Sequence, residues 1–240
     1  MPFRGAFLAQ GLAVAVIVDV LLFWQLERIL DWHTRVMESL LTFAGVPYTM
    51  GGTIEVFPGL SATILSTQYH SYVLNPMFPW YTFGIFAAVY LLGYRYMALP
   101  LRPLLFLIPA GLGITLFYLK AISPELPYSP EDFMGIWYRG ETYLWLLLPW
   151  IFGLGIFTIN IPFALKLPWL ILVFMYSMVW SVFRLAVALA TFYYFGALWM
   201  PVFYFVFGFL ADFLYIVAIY SLAMDRAAGH LSKQREVWQS

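Results

Sequence analysis

The chain has 240 residues, of which 63% are hydrophobic and only 10% are charged, and its formal net charge is zero. Soluble domains carry about 25% charged residues, so this composition predicts a polytopic membrane protein. The zero net charge offers nothing to attract nucleic acid, and the absence of cysteine excludes disulfides, thiolate metal sites and a cysteine nucleophile.

Apolar stretches recur along the chain, each near the roughly 20 residues that a helix needs to cross a bilayer. They lie at about 6–25, 80–98, 103–122, 143–163, 168–196 and 200–223. The sequence therefore predicts a single all-α integral-membrane domain over residues 1–240, with about six transmembrane helices.

The basic residues predict the orientation of these helices. If the N-terminus is cytoplasmic, seven basic residues lie inside and four lie outside. The inside set is Arg4, Arg95, Arg102, Lys166, Arg226, Lys233 and Arg235, and the outside set is Arg28, Arg35, Lys120 and Arg139. Both termini are therefore predicted to be cytoplasmic, which places the long segments 26–79 and 123–142 on the exterior.

The first exterior segment begins with "LERILDWHTRVMESLLTFAG", which has an amphipathic helical pattern. Its apolar residues recur every three or four positions, at Ile29, Trp32, Val36, Leu40 and Phe43. This pattern predicts an exterior helix that lies along the membrane surface or packs on the bundle, and that ends at Gly45 as a C-cap.

Two further exterior elements follow from turn-forming residues. The stretch "VPYTMGGTIEVFPGLSATIL" predicts a short β-hairpin, with one turn at Gly51-Gly52 and a second at Pro58-Gly59. The second exterior segment, "SPELPYSPEDFMGIWYRGET", contains three prolines and predicts a rigid, ordered cap over the bundle. A docking surface is the more specific alternative for this loop at 123–142.

The order of these features resembles the compact exosortases of the exosortase/archaeosortase family. The segments that carry the resemblance are "LLTFAGVPYTMGGTIEVFPGL" and "WSVFRLAVALATFYYFGALWMPVFYFVFGFL". The resemblance covers residues 6–98 and 165–224, and 100–163 would then be an inserted helix pair that carries the exterior loop. It implies a fold of membrane-embedded cysteine transpeptidases from the cytoplasmic (inner) membrane of prokaryotes.

The chain departs from that family at the catalytic positions. The family's cysteine falls at or beside Gln68 and its histidine near Phe207, so Arg184 is the one member of the catalytic set that remains. An amide is not a nucleophile, and a hydroxyl is a weak one unless a base activates it. The resemblance therefore implies an inactive relative. The alternative is a divergent enzyme that uses Thr67 or Ser66 as the nucleophile and His70 as the base.

Arg184 also needs a partner for physical reasons. A cation at bilayer depth costs about 2.5–17 kcal/mol, depending on how it is measured, so it must face the bundle interior or a counter-ion. Asp19, Glu141 and Asp212 are the candidate counter-ions. The alternatives are a buried ion pair that fixes helix register, a pocket for an anion near the outer face, and a contact with a lipid head group.

Aromatic residues make up 21% of the chain. They predict interfacial belts and tight packing, with a surface for a flat cofactor such as a carotenoid, quinone or chlorophyll as the alternative. No histidine lies within a predicted span, so the commonest ligand of chlorophyll or haem is missing there. We therefore predict no cofactor and no metal, although a lipid, quinone or carotenoid could bind.

Together these patterns predict a pseudoenzyme: a catalytically inactive, exosortase-like accessory subunit of a larger membrane complex. Its predicted partners are membrane lipids and other integral-membrane subunits, and no nucleic acid. Two alternatives stay open. One is a divergent transpeptidase or peptidase of the exosortase type. The other is a pathway for a small anion or for protons, in which Asp19 and Asp212 would relay the proton.

Overall fold

The computed structural model describes residues 5–68, 77–99, 101–123 and 129–239. Within these ranges the chain is mainly helical, with one two-stranded sheet. The elements are α1 (Gly5–Phe43), β1 (Thr49–Phe57), β2 (Leu60–Ser66), α2 (Phe78–Gly93), α3 (Leu101–Ala121), α4 (Pro130–Gly155), α5 (Phe163–Phe195), a 3-10 turn (Ala197–Trp199), α6 (Met200–Val202), a π-helix (Phe203–Leu210) and α7 (Ala211–Gln239).

Four helical stretches of the described chain are long and apolar enough to cross a membrane. They are α1, α3, α5 and the continuous helical stretch Ala197–Ser232, whereas α2 is apolar but has only 16 residues. Large apolar side chains such as Trp24, Leu92 and Phe209 are exposed on the outside of the helices. Because hydrocarbon would cover such a surface, the chain is an all-α, membrane-embedded protein.

Helix α1 runs through the boundary between the first predicted span and the predicted exterior helix. The predicted amphipathic helix is present and packs on the bundle, but it is not separate from the first span: the two form one helix of 39 residues. At 1.5 Å per residue, α1 is about 58 Å long, nearly twice the hydrocarbon thickness of about 30 Å. Its C-terminal half, which carries most of its charges, extends beyond its apolar half.

The buried face of this C-terminal half is formed by Leu26, Leu30, His33, Met37 and Leu41. The apolar set predicted from the sequence only flanks this face, and two of its members, Trp32 and Phe43, are exposed. The helix ends as predicted at Gly45, whose φ of 67° is left-handed. The Val46 N–H donates to Leu41 O at 3.0 Å, which closes a Schellman motif.

The predicted hairpin is present, but only one of its two predicted turns is. Strands β1 and β2 pair antiparallel and join at Pro58-Gly59, where Gly59 has a φ of 80°. The predicted turn at Gly51-Gly52 is wrong, since both glycines lie inside β1, where the register shifts between Met50 and Thr53. A bulge at this point explains the two glycines, because it bends the strand without ending it.

Helix α4 corrects two further predictions. The segment 123–142, predicted to be an ordered loop, is helical from Pro130 onward. The helix predicted over 143–163 is part of the same helix and ends at Gly155. The helix starts early because Ser129 and Asp132 form a capping box, in which Ser129 Oγ accepts from Asp132 N at 3.1 Å. Hydrogen bonds from the backbone N–H and the hydroxyl of Ser129 lower the pKa of the Asp132 carboxyl.

Helices α1 and α4 pack antiparallel at very short range. A Cβ added to Gly153 would lie 2.8 Å from Gly11 O, and one added to Gly11 would overlap Gly153 O. Small residues at such crossings let the backbones of membrane helices approach each other. The hairpin packs on the same pair, because the Thr34 hydroxyl donates to Thr63 O at 3.1 Å.

Helix α5 completes this bundle and runs parallel to α1, because contacts from Gln10, His33 and Ala44 of the N-terminal segment meet Lys166, Ser181 and Tyr194 in the same order. The α2–α3 hairpin packs elsewhere, mainly on α6 and the neighbouring helical turns, where Phe86 meets Trp199 at a ring distance of 4.9 Å. The two helices of the predicted insertion, α3 and α4, therefore pack mainly on different parts of the protein. Helix α3 joins α2, and α4 joins the bundle that positions Arg184.

Candidate functional site

Arg184 lies in α5 and is buried, with only 2% of its surface exposed. It makes a bidentate ion pair with Asp212 of α7, in which Nη1 donates to Oδ1 at 2.8 Å and Nη2 donates to Oδ2 at 3.2 Å. Nη2 also forms an ion pair with Glu141 of α4, whose side chain is 5% exposed. Two of the three candidate counter-ions therefore meet on Arg184, and they join three helices.

The π-helix supplies a second set of acceptors to the same guanidinium. Arg184 Nη1 donates to Phe207 O at 2.6 Å and lies 3.3 Å from Gly208 O. The sequence aligned Phe207 with a catalytic histidine, but the contribution of this residue here is its backbone carbonyl. Wide turns of this kind often occur at functional sites because they leave carbonyls free for other partners.

Trp137 covers the ion cluster from α4. Its ring lies 4.6 Å from Arg184 Cζ, and its Nε1 donates to Glu141 Oε1 at 2.8 Å. A Cβ added to Gly208 would come within 3.2 Å of the Trp137 ring. A glycine therefore allows the π-helix to approach both the indole and the guanidinium.

The cluster does not satisfy its own charge or all of its hydrogen-bonding groups. One guanidinium faces two carboxylates, so the cluster carries a formal charge of −1 when both are ionised. Among the described residues, Glu141 Oε2 and Arg184 Nε have no hydrogen-bond partner. Buried polar atoms without partners are rare in native structures, and each calls for an explanation.

A groove of about 660 Å³ runs between α4 and α7, and we call it the α4–α7 groove. Its walls are almost entirely apolar, and the cluster residues Glu141 and Asp212 both line it. Asp212 is the more accessible of the two, with a side chain that is 16% exposed. The groove therefore combines hydrocarbon-like walls with a negatively charged floor.

Asp19, the third candidate counter-ion, belongs to a different contact. Its Oδ2 accepts from Trp150 Nε1 at 2.6 Å across the α1–α4 interface, and its side chain is half-buried. Among the described residues, no hydrogen bond or ion pair joins Asp19 to the Arg184 cluster. The α1–α4 register therefore separates Asp19 from the other two carboxylates.

The alternative nucleophiles lie at the end of β2. Ser66 and Thr67 are both buried, and the Thr67 hydroxyl donates to Pro47 O at 2.8 Å. Gln68, at the family's cysteine position, follows directly and is exposed. His70, the predicted base, lies outside the described residues. A threonine proton engaged by a backbone carbonyl is not available to a base in this conformation.

A buried polar network escaped the sequence analysis. His33 Nε2 lies 3.3 Å from Ser181 Oγ, one turn before Arg184, and both residues are buried. This histidine lies in α1 beyond the predicted span 6–25, in the half of the helix that carries most of its charges. On the next turn of α5, Ser177 Oγ accepts from Trp145 Nε1 at 3.1 Å and from the Tyr215 hydroxyl at 2.8 Å. The helical spacing of Ser177, Ser181 and Arg184 on one face was the available signal.

Lys166 is a further buried charge. It is one of the basic residues predicted to lie on the cytoplasmic side, and it is buried in the first turn of α5. Its Nζ donates to Phe157 O at 2.8 Å and lies 5.4 Å from the Phe7 ring. Lys166 therefore ties the start of α5 to the end of α4.

No protein-family model, curated protein or solved structure matches this chain. The resemblance to the exosortases therefore stays a prediction from its sequence motifs. Within the described residues, no group of three or more His, Cys, Asp or Glu side chains is arranged to hold a metal ion.

Proposed function

We propose that this protein is a catalytically inactive, exosortase-like accessory subunit of a larger membrane complex in the cytoplasmic membrane of a prokaryote. In this proposal α2 and α4 cross the bilayer together with α1, α3, α5 and the stretch Ala197–Ser232. Six passes then place both termini in the cytoplasm and the hairpin on the exterior.

The engagement of Arg184 is the observation that carries this proposal. An arginine that stabilises an oxyanion or a substrate carboxylate needs donors that point at the substrate. Here both terminal nitrogens of Arg184 are occupied by Asp212, Glu141 and the backbone of the π-helix. This arrangement supports a role in holding α4, α5 and α7 in register rather than in chemistry.

The outer surface supports a role in lateral assembly. Exposed aromatic side chains cover the membrane-facing sides of several helices, including Phe183 on α5 and Phe205, Phe209 and Phe213 along the π-helix and α7. Aromatic residues provide large contact areas for neighbouring membrane proteins as well as for lipids.

Purification from native membranes in mild detergent tests the proposal directly. We expect the protein to elute in a complex of fixed stoichiometry, and the mass spectrum of that complex would identify its partners. A stable lone monomer after the same gentle extraction would contradict the accessory role.

The enzyme alternative has its own test in cells. We expect that Ser66→Ala, Thr67→Ala and His70→Ala leave the processing of sorted membrane substrates unchanged. Loss of processing in any of these variants, at normal protein levels, would favour a divergent transpeptidase over the accessory subunit.

A further inference from the structure

The α4–α7 groove is long and apolar. It extends from Ile136 to Ile151 along α4, which is about 22 Å at 1.5 Å per residue. Its volume of about 660 Å³ and its almost entirely apolar walls suit a hydrocarbon chain that lies along α4.

The polar part of the groove lies nearer to one end than to the other. Glu141 is five residues from Ile136 and ten from Ile151, and the walls on the Ile151 side of it include Leu144, Leu147 and Ile216. The contact between His33 and Ser181 places this polar part level with the charged half of α1. A ligand of matching polarity therefore has a short polar end and a longer hydrocarbon end.

Charge selects the polar end of that ligand. Two carboxylates face one guanidinium, and buried Glu141 keeps one oxygen without a partner. An anionic head group would add to this negative charge, whereas an ammonium group would neutralise it and donate hydrogen bonds to Asp212, the more accessible carboxylate. A primary ammonium does both, and a quaternary ammonium can only supply the charge.

We propose that the α4–α7 groove is a binding site for a phospholipid with a primary amino head group. One acyl chain lies along the apolar walls, and the ammonium group contacts Asp212. This site is separate from the helix-register role of Arg184, because it uses the accessible side of the Asp212 carboxylate.

Native mass spectrometry tests the site on the purified full-length chain. The protein is equilibrated with equal amounts of phosphatidylethanolamine, phosphatidylcholine and phosphatidylglycerol that carry the same acyl chains. We expect one phosphatidylethanolamine to be retained per protein, with a preference of about tenfold or more, since hydrogen bonds to a charged group are worth about one decade in affinity. Equal retention of all three lipids would overturn the proposal, because it would indicate ordinary annular lipid.

A glycine in the groove provides a variant that leaves the charged cluster intact. Gly140 lines the groove, and a Cβ added there would meet no described atom within 4 Å, so Gly140→Leu should fill the groove without a clash. We expect this variant to lose the bound lipid. Gly229→Leu is the matched control, because Gly229 is also helical and unobstructed but lies outside the groove.

Asp212→Asn separates the contribution of the head group to lipid binding from that of the acyl chain. We expect this variant to bind all three lipids with similar affinity, because the groove remains while the charge is removed. If Asp212→Asn fails to fold, the comparison of Gly140→Leu with Gly229→Leu still decides the question. Unchanged lipid retention in Gly140→Leu would overturn the proposal. So would a cross-link from Gly140→Cys to a protein rather than to a lipid.

Discussion

Replacement of Arg184 by methionine is the sharpest test of the ion cluster. Arg184→Met keeps a long side chain but removes the cation, so Glu141 and Asp212 stay buried without a counter-ion. It also removes the donors to the carbonyls of the π-helix.

Breaking a buried ion pair by removing one partner costs about 3–5 kcal/mol, since the remaining charge is left unpaired in a low-dielectric environment. That loss is a large part of the roughly 5–15 kcal/mol by which folded proteins are stable. A triple variant, Arg184→Met with Glu141→Gln and Asp212→Asn, removes all three charges. It should recover most of the lost stability, because Gln at position 141 can still accept from Trp137 Nε1.

The free energy of unfolding is measured by titrating the protein in mixed micelles with SDS. Arg139→Met is the matched control, since Arg139 is exposed and has one hydrogen bond, from Nε to Glu55 O at 3.0 Å. It should cost no more than about 1 kcal/mol. If Arg184→Met costs no more than this control, or if the triple variant is as unstable as the single one, the cluster does not hold the helices together.

Three further predictions concern the frame around the site. The pKa of Asp132 is lowered in the folded state, so its carboxylate stabilises the protein fully above the ordinary pKa of 3.8. This contribution is lost as the pH falls through the lowered pKa. The difference in unfolding free energy between wild type and Asp132→Asn should therefore shrink over that range. Gly11→Leu should destabilise the protein by about 1–3 kcal/mol or more, because the side chain would overpack against α4. Gly5→Leu is the control and should not, since a Cβ at Gly5 meets no described atom within 4 Å. Similar melting temperatures for the two variants would refute the close approach of α1 and α4 at Gly11. The topology is tested with an impermeant maleimide on sealed vesicles whose outer face is the cell exterior. Glu55→Cys should react with the reagent directly, whereas Ser232→Cys should react only after the vesicles are permeabilised. Labelling of both variants from the same side would reject the proposed topology.

Two errors of the sequence analysis had signals that local patterns could have supplied. Hydropathy falls after residue 25, but no glycine or proline lies between Gly11 and Gly45, so nothing in the sequence ends α1 where its apolar half ends. Similarly, Ser129-Pro130-Glu131-Asp132 carries the capping signature of a helix start. The loop prediction is wrong at its C-terminal end because Pro130, the last proline of the segment, is the first residue of α4.

The sequence by itself determined that this protein lies in a bilayer, and it determined parts of the local structure. Apolar runs require helices in a bilayer, because every backbone group must be satisfied within its own element. Gly45 and Pro58-Gly59 defined a helix end and a hairpin turn through local backbone geometry alone. Composition also made a partner for Arg184 necessary, since an unpaired cation is costly in an apolar environment.

Only the tertiary structure decided which partner Arg184 has. Asp19, Glu141 and Asp212 are equally plausible in sequence, since each is a lone carboxylate in or beside an apolar run. The close approach at Gly11 and Gly153 sets the register of α1 against α4, and this register directs Asp19 to Trp150. The π-helix turns Asp212 and two carbonyls towards α5, where Glu141 completes the cluster. The contacts of Arg184 join residues that are 23 to 43 positions apart in the chain, and Asp19 and Trp150 are 131 apart, so local patterns do not reveal them.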